Sequence, residues 1–478
     1  MNQTISPDIY RTFRDLPPLA GLCTHAEAAK PGLAIEACVS RLKRLHYAFR
    51  RLHEIFTSRI TAEPAYELKT GFSHHAYLCA EHLEAIRKRV GEMREPPLGL
   101  EAIPNPAIDV LFDEILAAPT TEELIFGLYT IAVPGLHSEI VKLAADVNPL
   151  ADAPTRRVLR FAEIELNDMR AFGDVCIKAL VTGEIRMKMS RWAELLSALL
   201  ASAFDQAAKP LEPNHRIYSA APYQYDPYPK RDARFVDLWN QGVNAEAFIY
   251  DESLPAKPKA LMMLFKRLRE IDVPEMMASI IVQTKGKPWG YYLAMTRQLW
   301  DEARHAMMGE VGFVALGVDW TKARITHNWS TRLNTECTPM ERHAVLYFIE
   351  QGLMTKTGKR FEWELGVQSG IPLMATIQDY DWADEVLHAA IGRQWYIPEF
   401  GNINEALAYG DQCWSRILSN WQAVKEVGLT HHENWWPAIY EQACRSWGES
   451  FDPAVMAFST TYEGARADLK QVPAGASG

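Results

Sequence analysis

The sequence has little that would build a sheet, a disulfide framework, a membrane span or a nucleic-acid groove. Strand-like alternation of apolar and polar residues is weak along all 478 residues, which argues against the β-rich and α/β classes and leaves helices as the main element. The seven cysteines, from Cys23 to Cys444, are odd in number, scattered and never spaced as Cys-x-x-Cys. Neither disulfides nor a zinc site are expected, and most should be buried thiols. No stretch approaches the roughly 20 apolar residues that span a bilayer. Residues 1–18 mix Asp, Arg and Pro where a signal peptide would have an apolar core, so a cytoplasmic protein without a membrane partner is expected. A formal charge of -10, with no local run of Lys and Arg, argues against a nucleic-acid partner. No flavin or nicotinamide fingerprint is evident.

What is present is apolar content of 48%. Apolar residues recur at three- and four-residue intervals over 42–56, 158–180 and 261–268, which predicts an all-α protein. A chain this long exceeds one ordinary core. A Pro- and Tyr-rich passage over 210–231 reads as a connection. The expected division is a helical domain over 1–209, a linker over 210–245, a second helical domain over 246–400, and further helices with a frayed tail over 401–478. In the second domain the main helices are expected at 274–285, 289–314, 338–354 and 373–394. Asp272 with Glu275 resembles a capping box, and Lys285-Gly286-Lys287-Pro288 a tight reversal.

Two words stand out: Asp301-Glu302-Ala303-Arg304-His305 and Asp384-Glu385-Val386-Leu387-His388. On a helix, three-residue spacing turns Glu and His to one face, so each pair can grip one metal ion. Composition alone predicts roughly one Glu-x-x-His, and three occur. The third, Glu212-Pro213-Asn214-His215, falls in the turn-rich passage, where no helix aligns the two side chains. Requiring Asp before the Glu lowers the chance expectation to about 0.05 per chain, so two copies point to a site. The plain alternative, a surface helix with Glu beside His, fits less well because apolar residues flank both words. Each Asp lies four residues before its His and could hydrogen-bond a ring nitrogen, fixing the tautomer. Arg304 is placed to pair with such a carboxylate.

A dinuclear site needs two more carboxylates. In antiparallel hairpins, residues equidistant from the turn lie side by side. Glu275 and Glu302 have their midpoint beside Pro288-Trp289, and Glu350 and Glu385 theirs at Val367-Gln368, near Gly366 and Gly370. Glu270 is the rival to Glu275, set aside because Pro274 separates it from the helix. Glu341, Glu362 and Glu364 lie less symmetrically about the second turn. The expected metal ligands are therefore Glu275, Glu302, His305, Glu350, Glu385 and His388. Glu302 and Glu385 are the carboxylates nearest the chemistry, with Asp301, Asp384 and Arg304 in support. Oxygen ligands suit iron, bridging carboxylates hold two ions close, and one imidazole per ion leaves room for dioxygen.

With those residues in view, 273–395, about a quarter of the chain, resembles the ferritin-like superfamily of dinuclear carboxylate proteins. That superfamily includes bacterial monooxygenase hydroxylase subunits and the small subunit of class I ribonucleotide reductase. The segments from Pro288-Trp289 to His305, and from Asp381-Trp382-Ala383-Asp384-Glu385 to Gly392-Arg393-Gln394-Trp395, look similar to a little-characterised bacterial branch of it. The resemblance implies a ferritin-like four-helix bundle, two Fe ions or a Mn/Fe pair, the six ligands above, and Asp301 and Asp384 each supporting the histidine of the opposite motif. It implies a di-iron oxygenase or oxidase that uses O2 to hydroxylate, desaturate or cleave a small organic molecule. Electrons would come from a ferredoxin or reductase, and a homodimer is one expected assembly. The alternatives are a metal-binding or storage protein without an organic substrate, and a Mn/Fe oxidase or radical generator. Trp300, Trp382, Tyr292, Tyr347 and Tyr380 are read as packing residues rather than radical sites.

A faint echo runs through the first half. Glu54 and Glu81 repeat the 27-residue interval of Glu275 and Glu302, Glu81-His82-Leu83-Glu84 matches Glu302 to His305, and Glu165-Leu166-Asn167-Asp168 matches Glu385 to His388. Glu84 and Asp168 replace both imidazoles, so a degenerate bundle serving as scaffold or pocket wall is expected.

Overall fold

The computed structural model describes residues 10–94, 99–204, 216–418, 426–430 and 432–462. Every regular element among them is helical. The 212–215 motif and the tail from 472 lie outside the described residues.

The chain divides into two units, the first comprising Met1–Phe56 and His75–Gln224, the second Thr57–His74 and Tyr225–Gly478. This differs from the sequence expectation in three ways. Thr57–His74, expected in the first domain, belongs to the second unit. The helices beyond residue 400 belong to the second unit, and the Pro-rich passage, where described, is not a free linker. In the first unit buried Glu114 accepts from the amides of Ile217 at 2.9 Å and of Tyr218 and Ser219 at 3.0 Å. In the second, Lys230 N donates to Thr61 O at 2.8 Å and Thr61 Oγ1 to Asp226 O at 2.7 Å. Backbone groups that would otherwise need water are satisfied on each side.

The first unit is built on long helices such as Tyr66–Glu92, which enters it at His75, and Ala153–Leu180. Thr121–Phe126 continues through a π-helical turn, Gly127–Ala132, into Val133–Asp146. The resulting 26-residue rod has a mean hydropathy of 1.4 over its most apolar window and is long and apolar enough to cross a membrane, contrary to the sequence reading. Yet 61% of that window is buried inside the protein, where Leu124, Leu128, Leu136 and Ile140 are fully enclosed. The apolar side chains serve the unit's own core.

In the second unit seven helices matter: α1 (Ala256–Arg269), α2 (Asp272–Gln283), α3 (Trp289–Ala315), α4 (Asn328–Glu336), α5 (Pro339–Leu353), α6 (Lys359–Gln368) and α7 (Pro372–Trp395). Pro339 and Pro372 open their helices, where a missing amide hydrogen is harmless and a fixed φ helps. α1 and α2 form one rod broken at Glu270–Ile271. That rod packs on α3, α3 on α7, α7 on α5 and α5 back on α2, which closes a ring of four rods; α6 packs against α1 and α7. The four expected helices thus appear within two residues of their expected ends. The capping box does not, because Asp272 makes no cap and instead accepts from Arg231 at 2.7 Å and Ser330 at 3.0 Å.

Gly309 sets how closely α1 and α3 approach. A Cβ there would lie 2.4 Å from Leu268 N and 2.7 Å from Leu264 O, so backbone meets backbone where only hydrogen fits. This draws the end of α1 against the α3 turn that carries His305.

Candidate metal centre

Each rod brings one carboxylate to a common interior point. α1 ends in Glu270, α3 carries Glu302 and His305, α5 carries Glu350, and α7 carries Glu385 and His388. Helical spacing of three residues puts each Glu and its His on the inward face. Three overlapping groups result: Glu302, Glu350, Glu385 and His388; Glu270, Glu302 and His305; and His305, Asp381 and Glu385. The two imidazoles are fully buried, with ring centroids 5.9 Å apart. His388 Nδ1 lies 3.2 Å from Glu302 Oε1, 3.5 Å from Glu385 Oε2 and 3.8 Å from Glu350 Oε1. His305 Nδ1 lies 3.5 Å from each of Glu302 Oε2, Glu270 Oε2 and Asp381 Oδ1. Glu302 therefore offers one oxygen to each histidine's side of the site.

The donor atoms test whether a cation fits. His305 Nδ1, His388 Nδ1, Glu270 Oε2, Glu350 Oε2 and Glu385 Oε2 are all buried without a hydrogen-bond partner. Each such group costs about 1–3 kcal/mol when left unsatisfied. Five facing one another would be a fault in an ordinary core, whereas a cation satisfies them together. The buried Glu and His cluster could hold a metal ion.

Around the donors the two motifs cross. His305 Nε2 lies 3.2 Å from Asp384 Oδ2 and His388 Nε2 3.4 Å from Asp301 Oδ2, each histidine against the other motif's aspartate. Both imidazoles are thereby turned with Nδ1 inward. Arg304 donates to Asp301 and, at 2.7 Å, to Asp384, and Arg297 donates to Asp301 at 2.9 Å. Burial works against charge on His305, but the carboxylates of Asp384, Glu270 and Glu302 overcome it and hold its pKa up at about 10. Burial, reinforced by the charges of Glu385 and Glu302, pushes Glu350 well above the usual carboxylate range. For Glu385 burial pulls the same way, yet Lys359 beside it holds the group well below that range. The site keeps protons where a metal would place positive charge.

Glu275 is not brought into this cluster. Its Oε1 accepts from Arg231 Nε at 2.8 Å and Lys69 Nζ at 2.9 Å, and its Oε2 from Arg231 Nη2 and Ser330 Oγ at 2.8 Å. Glu270 stands where Glu275 was expected, and the sequence held the signal. The midpoint of 270 and 302 is Gly286, which takes φ +78° at the reversal. Pro274 does break the rod, but on the far side of the carboxylate that faces the site. The other rivals have different partners: Glu341 caps α5 with Thr338, Glu362 pairs with Lys266, and Glu364 pairs with Arg360 near the surface. Sequence reasoning missed three more buried residues, Asp381, Lys359 and Arg267. Asp381 lies one turn before Glu385 on the same face, a usable signal; nothing in the sequence marks the other two.

A cavity of about 360 Å³ is lined by Glu270, Glu302, Glu350 and Glu385 together with apolar side chains including Val273, Met276, Val345, Ile349 and Trp414. In the first unit the echo residues stay apart: Glu54 pairs with Arg51 at 3.0 Å, Glu165 with His82 at 2.6 Å, and Glu81 and Asp168 are exposed. All three metal-capable groups among the described residues lie in the second unit. No known protein family, curated protein or solved structure matches this chain.

Proposed function

We propose that the ring of four rods is a ferritin-like bundle holding a dinuclear iron centre, and that the protein is an O2-dependent oxidoreductase acting on a small organic molecule. The observation that carries this reading is the set of five unpartnered buried donor atoms, drawn from all four rods, with Glu302 turned to both histidines. Glu270, Glu302 and His305 would hold one ion and Glu302, Glu350, Glu385 and His388 the other. When bound, such a pair supplies dioxygen activation.

The chain's own residues do the rest. Asp301 and Asp384 fix the imidazole orientation, and Arg304 and Arg297 balance those aspartates. Glu350 is held through a neutral amide, Gln298 Nε2 at 3.0 Å, with its second oxygen unpartnered, so it is the carboxylate most able to shift. The adjoining cavity favours an enzyme over a storage protein, because a substrate of moderate size can reach the carboxylates there while apolar walls exclude water. Electrons would come from a ferredoxin or reductase. The ligand set admits manganese as well as iron, so a Mn/Fe pair belongs to the same reading.

Elemental analysis and oxygen uptake test it. Protein loaded with iron(II) without oxygen should carry two ions per chain and, with excess ascorbate, consume O2 at a rate that Glu302→Ala abolishes. Fewer than one ion per chain, or uptake indifferent to that substitution, would sink the reading.

A further inference from the structure

We infer that the two metal positions are unequal and fill in order, the His388 position first, because two buried cations guard the His305 position. The inference rests on the dinuclear reading above.

Lys359 opens α6 and its side chain is fully buried. Its Nζ donates to both oxygens of Asp381 at 2.9 Å and pairs with Glu385 Oε1 at 2.9 Å, which uses all three protons of an ammonium group. Arg267, on α1 and equally buried, pairs through Nη2 with Glu270 Oε1 at 2.8 Å and through Nη1 with Asp381. Of the carboxylates gathered round His305, Glu270, Asp381 and Glu385 are thus each already shared with a fixed positive charge, and Glu302 alone is not.

The other position differs. Glu302 and Glu350 pair with no Lys or Arg among the described residues, Glu385 turns its unshared Oε2 toward His388, and the hydrogen bond to Glu350 comes from an uncharged amide. A divalent ion beside His388 meets carboxylates and an imidazole. An ion beside His305 meets a guanidinium and an ammonium that cannot withdraw into solvent, and burial leaves that repulsion weakly screened. Asp381 offsets part of it, which is why the second position is weakened and not abolished. Lys359 and Arg267 are therefore positioning residues that set the order of assembly, and an ordered pair is one route to two different metals in one site.

Titration of the metal-free full-length protein with Co(II) separates the possibilities, because the visible bands of the bound ion and calorimetry count and rank the steps. Two steps are expected, the first at least roughly tenfold tighter. Lys359→Met should tighten the second step by about tenfold and leave the first within about threefold. His388→Ala should remove the tight step, whereas His305→Ala should keep it and remove the weak one. Equal steps in the natural protein, a second step indifferent to Lys359→Met, or a tight step that survives His388→Ala would overturn the order. If circular dichroism shows Lys359→Met unfolded, the two histidine variants decide alone. A folded natural protein that binds no Co(II) would overturn the dinuclear reading itself, while two equal ions would overturn only the asymmetry.

Discussion

Buried histidines meet opposite fates at the candidate centre of the second unit and in the core of the first, and His343, in the second unit but away from the centre, is pushed down to about 4 like His46 and His53 of the first. In the second, His305 and His388 sit among carboxylates and are held above the ordinary imidazole range. In the first, His46 and His53 are also buried, but burial alone governs His53 and dominates at His46, so both are pushed down to about 4. Both units share the 27-residue interval between glutamates, yet Glu54 and Glu81 are exposed. The difference teaches that neither a buried imidazole nor a spaced pair of acids is enough to hold a metal ion; only where both converge inside one ring of rods does a cluster form that could hold one.

The largest effect should come from removing the carboxylate common to both positions. Glu302→Ala is expected to eliminate both ions, while Glu81→Ala, its counterpart by spacing, leaves metal content unchanged; elemental analysis of the two variants reads this directly. Metal loss from Glu81→Ala would break the contrast.

A smaller and sharper contrast lies within the second unit, between neighbours on the broken rod. Glu270→Gln should lose the ion at the His305 position and destabilise the metal-free protein less than Glu275→Gln, because Arg267 gives up Glu270 but keeps Asp381 and Glu362. Glu275→Gln should keep both ions but destabilise the fold by about 3–5 kcal/mol, because Arg231 and Lys69 would be left with a neutral amide in a buried site. Urea unfolding of the metal-free variants beside ion counts distinguishes the two. If Glu275→Gln loses metal, Glu275 does reach the centre.

Why Glu275 was the natural choice from sequence shows what was legible and what was not. Helices α2, α3, α5 and α7 announce themselves through apolar periodicity and flanking prolines. The Asp-Glu-x-x-His words identify four inward residues and two supporting aspartates without any structure. α1 is different. From Pro258 to Arg269 it is buried all round, including Lys266, Arg267 and Arg269. Three basic residues followed by Glu270 look like a solvated face, and only tertiary pairing with Glu362, Asp381 and Glu246 makes them interior. The apolar spacing over 261–268 marks a helix, but periodicity cannot report charges that are buried because they are paired, so nothing in it shows that this helix ends in a carboxylate of the site. The hairpin arithmetic was sound, but it was centred on Pro288 when the left-handed residue, Gly286, marks the reversal. The division into units was equally hidden, because it depends on which helices 57–74 and 403–456 pack against and not on composition.

The finest test uses the sign of pH dependence in the metal-free protein. For His46 and His53 the folded pKa is about 4 against an ordinary 6.5. The unfolded chain therefore binds more protons between those values, and stability present above pH 6.5 is lost as pH falls toward 4, by about 3 kcal/mol per histidine at most. His305 has the reverse sign. Its folded pKa of about 10 means that stability present below pH 6.5 is lost as pH rises through 10. Hydrogen exchange at pH 4.5, 6.5 and 9.5, corrected for intrinsic rates, should show acid-end loss of protection in both units, since His343 of the second is also pushed down to about 4, but alkaline loss from the imidazoles in the second unit alone. Metal binding should cancel the alkaline loss alone, because the ion replaces the Nδ1 proton of His305. His46→Leu should reduce the acid loss, since neither ring nitrogen of His46 has a hydrogen-bond partner to forfeit. Equal alkaline loss in the two units, or none in either, would mean that carboxylate surroundings do not set the two classes of histidine apart.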